Sequence, residues 1–223
     1  MPIHQEGRAS RESRIREHKG GVWGSSSQDF VHLANTLFEL SASDAHSVDG
    51  NCSMYALAGI PMLFSALRCL LIELNAGTMY TGTLVSPEVQ QELAATGSDV
   101  RFILQHYSVP LDLRNRLQLL EQIRHEILHP SHRPSGDAGN TPVYLRQLRD
   151  EHLLQSTGKD TDYIWLEQLK SHRLFRWAFE TVRETAELLL QTHEVQPFIT
   201  SLLLASYAQY EATDVTQQSK PGP

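Results

Sequence analysis

The sequence holds only two cysteines, Cys52 and Cys69, among its 223 residues. Two thiols cannot build the disulfide staples of a small secreted domain or a four-cysteine zinc knot, so a reducing compartment is expected. Long uncharged apolar runs are missing too. The best one, Ile60 to Leu74, is broken by Arg68 and Glu73, which marks a core helix rather than a membrane span. The basic N-terminal residues Arg8, Arg11, Arg14, Arg16 and Lys19 are not followed by an apolar segment, so no leader and no membrane partner are expected, and the protein is read as cytoplasmic. An excess of positive charge is lacking as well. The formal net charge of −7 excludes a general nucleic-acid coat, because phosphate binding is driven by clustered Lys and Arg that release counterions. Any nucleic-acid contact has to be local.

What is present is the composition of a folded chain, 40% hydrophobic and 20% charged, long enough for one ordinary domain. Residues 1–27 are polar, lack periodicity and end in a Gly- and Ser-rich stretch, so they are expected to form a flexible arm. Residues 28–211 are expected to form a single helical domain, and 212–223 a disordered tail. A first helix is expected from Asp29 to about Leu40, on Phe30, Leu33, Ala34, Leu37 and Phe38, followed by a polar loop from Ser41 to Asn51. Ser53 is a candidate cap for a second helix with one broad apolar face from Ile60 to Leu74, ended by Asn75-Ala76-Gly77, with Pro61 marking a kink or its true start. Shorter helices are expected from Pro87 and from Asp99 to Tyr107.

Pro110 opens a helix of about 19 residues that Pro130 stops, since the residue before proline is pushed out of the α region. Beyond a Pro-, Ser- and Gly-rich loop over Ser131–Thr141, helices are expected from Pro142 to about Leu154, from Trp165 to Thr192 and from Pro197 to Tyr210. A short extended piece at Met79–Val85 is the nearest approach to a strand. The fold class is therefore all-α, a helical bundle. His152, His172 and His193 read as solvated or capping residues at helix ends, and Cys69 as a small core residue. Arg173, Arg176 and Arg183 read as i,i+4 partners of Glu180, Glu184 and Glu187 on a wet face.

Reactive groups concentrate in Arg124-His125-Glu126-Ile127-Leu128-His129-Pro130-Ser131-His132-Arg133. His125-Glu126-Ile127-Leu128-His129 has the H-E-x-x-H spacing in which two histidines one turn apart bind zinc and the glutamate activates its water. Roughly 0.04 such matches are expected by chance in a chain of this composition, so the spacing needs weighing. Against it, Pro130 breaks the helix at the second histidine, position 135 is Ser where the extended motif carries a third, and flanking strands are missing. A zinc hydrolase with His125 and His129 as ligands stays as an alternative; otherwise no metal and no cofactor are expected.

Arg124-x-x-x-x-His129 is a second motif in the same segment. Together with Leu119-Leu120-Glu121-Gln122-Ile123 before it and Pro130 after it, the segment resembles the end of the motif helix in the HEPN family of helical-bundle domains. Ribonuclease members of that family carry R-x4-6-H with a polar residue after the arginine, here His125. Upstream, Ser65-Ala66-Leu67-Arg68-Cys69-Leu70-Leu71-Ile72-Glu73-Leu74-Asn75 is similar to the family's earlier long helix, and Phe175–Leu190 with Trp177 to the later one. The resemblance covers about residues 28–195.

The resemblance implies a HEPN-like dimeric bundle in which two protomers pair and both Arg124 and both His129 line one composite cleft. It implies metal-independent endoribonuclease chemistry, with Arg124 and His129 catalytic, His125 and Glu73 supporting, and RNA as the substrate. A toxin or defence effector with an antitoxin or regulatory partner is the corresponding role, and a non-catalytic docking or dimerisation module is the alternative within the same family.

Three readings of the residues themselves bear on this. Arg124 falls in helical phase with Leu113, Leu117, Leu120 and Ile127, so it is expected on the core-facing side, where an interhelical ion pair with Glu73 or another carboxylate is the plain explanation. His129 lies five residues on, about 140° around an ideal helix, so Arg124 and His129 do not share a face. Finally, Arg101–Arg133 holds five arginines against Asp112, Glu121 and Glu126, a local positive patch in an acidic chain.

Overall fold

A computed structural model describes residues 26–47, 52–75, 87–130, 142–155, 165–193 and 195–212. Among these residues there are nine helices and no strand. They are α1 (Ser26–Ser47), α2 (Tyr55–Asn75), α3 (Pro87–Ala95), α4 (Asp99–His106), α5 (Leu111–Leu128), α6 (Val143–Asp150), α7 (Trp165–Gln168), α8 (His172–Thr192) and α9 (Pro197–Tyr207). The all-α architecture expected from periodicity is therefore present. The extended piece at Met79–Val85 and the loop over Ser131–Thr141 lie outside the described residues, as do the arm up to residue 25 and the tail from 213.

Helix α2 is the axis of the bundle. Its residues Ile60, Leu63, Ala66, Leu67, Leu70, Leu71 and Leu74 are all fully buried, and it packs along α1 on one side and α8 on another, with α5 closing the layer. Pro61 sits inside the helix rather than at its start, and Ser53 Oγ accepts from the Tyr55 N–H at 3.2 Å, which gives the start its cap. By length and composition alone α2 could cross a bilayer; half of it is buried inside the bundle.

Helix α1 departs from expectation at both ends. It begins at Ser26, inside the stretch assigned to the arm, because Glu73 reaches over from α2 and accepts from the Ser27 N–H at 3.1 Å and from its hydroxyl at 2.7 Å. An acceptor from another helix thus caps α1, satisfying donors that would otherwise be orphaned. At the other end, Ser41–Ser47 is helical rather than loop: Ser41, Ala42 and Ala45 are buried, and the Ser41 hydroxyl meets His172 Nδ1 at 3.0 Å. A small, polar-looking segment is helical because small side chains let α1 approach α8.

The helix expected to run unbroken from Trp165 is divided into α7 and α8. Residues 169–171 leave the helical path: the Lys170 carbonyl accepts from the Ser53 N–H at 3.0 Å, while Cys52 and Ser171 form an isolated antiparallel bridge. Ser171 then caps α8, accepting from the Leu174 N–H at 3.2 Å. Beyond α9 a last helical turn reaches residue 212.

Of the three histidines expected as solvated or capping residues at helix ends, His152 is exposed and His193 is the half-buried C-cap of α8, whereas His172 is inside. His172 is buried with its ring 4.5 Å from that of Phe38. His193, at the end of α8, places Nε2 2.8 Å from the Tyr107 hydroxyl, which also accepts from Asn75 Nδ2 at 3.2 Å. Two of the charges on α8 pair outside that helix rather than i,i+4. Glu184 takes a two-bond fork from Arg116 of α5, and Arg183 pairs with Glu211, so these charges tie α8 to its neighbours.

Candidate functional site

Helix α5 carries the motif segment from Arg124 to Leu128, with His129 as its C-cap and Pro130 just beyond. Its buried side holds Leu113, Leu117, Leu119, Leu120, Ile123 and Glu126. That seam is centred a little away from Arg124, which is half-buried at its edge. The Arg124 guanidinium lies over the Phe64 ring, 5.4 Å from its centroid. The ion pair with Glu73 is not formed, since Glu73 holds the start of α1 instead. No ion pair among the described residues involves Arg124. Its charge is held by the negative face of an aromatic ring, an arrangement that desolvates a cation only partly and leaves its N–H fork unspent.

An open cleft of about 470 Å³ lies along the second half of α5. Glu121, Gln122, Arg124, His125 and Glu126 line it from the helix, Gly97 from the turn before α4, and Pro142 and Tyr144 from the start of α6. At 100° per residue Glu121, Gln122 and His125 fall on one arc, with Arg124 and Glu126 at its two edges. Ser98 ties the α4 side to this floor. It caps α4 by accepting from the Arg101 N–H at 3.0 Å, and its hydroxyl donates to Glu121 Oε1.

Arg124 and His125 are thus brought together in the cleft. His129 is not among the lining residues. It caps α5 with φ −134° and ψ 66°, its N–H donating to the His125 carbonyl at 2.8 Å. Both imidazoles are exposed, and their centroids lie 5.2 Å apart. The structure therefore puts Arg124 and His125 on the wall of one cleft and His129 beside His125, with Glu73 elsewhere.

The zinc spacing is met by a helix that ends at its second histidine. Glu126 is buried, 8% exposed, and among the described residues no group of three His, Cys, Asp or Glu is gathered as a ligand set. The local positive patch is thinner than its sequence count, because Arg116 is committed to Glu184 and Asp112. Arg101, Arg114 and Arg124 remain without acidic partners among the described residues.

Sequence reasoning missed Glu121 and Tyr144 as cleft residues. The only signal for Glu121 was its place one turn before His125; nothing in the sequence brings Tyr144 across the intervening loop. Compared with protein-family models, curated proteins and solved structures, the chain matches none.

Proposed function

We propose that the protein is a metal-independent endoribonuclease of HEPN type, working in the cytoplasm as a homodimer, with a toxin or defence role under the control of an antitoxin or regulatory partner. The observation that carries the reading is Arg124: a half-buried cation with no carboxylate partner, on the wall of an open cleft that His125 also lines, with exposed His129 in ring contact with His125. An unspent N–H fork is what a phosphodiester accepts, two oxygens to two donors.

In the proposed reaction the ribose 2′-oxygen bonds to the neighbouring phosphorus while the P–O5′ bond breaks. The 2′-hydroxyl proton passes to one imidazole, and the leaving 5′-oxygen takes a proton from another group, leaving a 2′,3′-cyclic phosphate and a 5′-hydroxyl. His129 is assigned the proton transfer, His125 orients or contacts RNA, and Arg124 holds the phosphate as charge builds on its oxygens. Need for the 2′-hydroxyl selects RNA over DNA. Arg124 and His129 stand at different angles of α5, so a second copy of the chain, supplying its own Arg124 and His129, completes the cleft.

Cleavage of RNA in excess EDTA, with end analysis of the products, tests the reading. Cyclic phosphate ends that form equally well in Glu126→Ala are expected. Cleavage that EDTA abolishes and zinc restores, lost in Glu126→Ala, would overturn it in favour of the zinc alternative.

A further inference from the structure

Two carboxylates line a cleft that, on the ribonuclease reading above, receives a phosphodiester. Acid groups there repel phosphate, so a carboxylate in the cleft suits a different part of the substrate, a hydrogen-bond donor, and RNA carries such donors on its bases. Glu121 is placed for this. Its Oε1 accepts from the Ser98 hydroxyl, which leaves Oε2 and the second lone pair of Oε1 as acceptors. No ion pair among the described residues neutralises it. Gln122 follows it on the floor, Gly97 opposite presents no side chain, and an added Cβ there would meet nothing within 4 Å. On the other side the cleft is walled by Pro142 and Tyr144, apolar and aromatic surfaces of the kind on which unstacked bases rest. The volume of about 470 Å³ falls in the range of small-molecule sites and suits one nucleotide.

We propose that this cleft is a base-recognition subsite for guanine in single-stranded RNA, with Glu121 accepting from guanine N1–H and the exocyclic N2 amino group. Of the four bases guanine alone offers two parallel donors on one edge, the match for a carboxylate; adenine and cytosine offer one amino group and uracil one N–H. The inference rests on the ribonuclease reading for its substrate, while its test does not need cleavage.

Calorimetric titration of the full chain with the four ribonucleoside 5′-monophosphates and with inosine 5′-monophosphate is the experiment. GMP is expected to bind about tenfold or more tightly than AMP, CMP or UMP, and inosine monophosphate, which lacks the N2 amino group, to lose several-fold. Glu121→Gln, checked for folding by its melting curve, is expected to level GMP with AMP while Arg124→Ala weakens all four alike. If Glu121→Gln fails to fold, the inosine comparison on the unaltered protein decides alone. Equal binding of GMP and AMP, or of GMP and inosine monophosphate, overturns the subsite. RNA cleavage with equal mononucleotide binding leaves the nuclease and removes the subsite; guanine preference without cleavage does the reverse.

Discussion

Gly59 sits in the middle of α2 where a Cβ would lie 1.9 Å from Phe175 Cζ. Alanine is ordinarily better than glycine inside a helix by about 0.5–1 kcal/mol, yet the Phe175 ring is fully buried and cannot swing away. Gly59→Ala is therefore expected to destabilise by about 1–3 kcal/mol, the cost of overpacking, as a lowered urea midpoint. Arg124 gives the opposite expectation. Because it rests on Phe64 and breaks no ion pair, Arg124→Ala should cost about 1 kcal/mol; a loss of about 3–5 kcal/mol would mean a buried partner had been stranded.

His193 titrates with a sign fixed by its surroundings. Burial lowers its pKa below the ordinary 6.5, and Asn75 donates to the Tyr107 hydroxyl, so that hydroxyl donates to an unprotonated Nε2. The unfolded chain therefore takes up this proton more readily than the folded one. His193 should contribute stability that is intact above about pH 6.5 and is lost as pH falls below it. Melting temperatures from pH 7.5 to 5.5 should fall less steeply in His193→Gln, which keeps an acceptor and does not titrate.

At the scale of elements, what the sequence made legible was whatever depends on periodicity and local capping. The apolar face of α2, the Ser53 cap, the start of α5 after Pro110 and its end before Pro130 all follow from spacing within one helix. What was not legible depends on a second helix. Ser26 and Ser27 look like linker until Glu73 of α2 reaches them, and Ser41 to Ser47 look like a loop until α8 packs against them. The division at 169–171 needs the backbone of 52–53 as its partner. The candidate site divides in the same way: Arg124, His125 and His129 stand out by type and spacing, whereas Arg124's seat on Phe64 and the place of Tyr144 in the wall come from other elements. An interhelical cap has a measurable weight. Glu73→Ala should remove the two carboxylate oxygens to which Ser27 donates and fray the start of α1, seen as faster amide exchange over the first turn and a loss of about 1–2 kcal/mol.

For the whole molecule, the bundle presents the end of α5 with an arginine and two histidines that a single chain does not converge on one point. The ribonuclease reading proposed above therefore requires a second chain: sedimentation at micromolar concentration is expected to give a dimer, and a monomer would remove the composite cleft. RNA cleavage is the function proposed for that cleft. Its most direct measurement is the rate of RNA cleavage in excess EDTA by purified His129→Ala beside the unaltered protein, with both shown to be folded and dimeric. Cutting by the unaltered protein and none by His129→Ala is the result expected; unchanged cutting in His129→Ala, or no cutting by either, would contradict it.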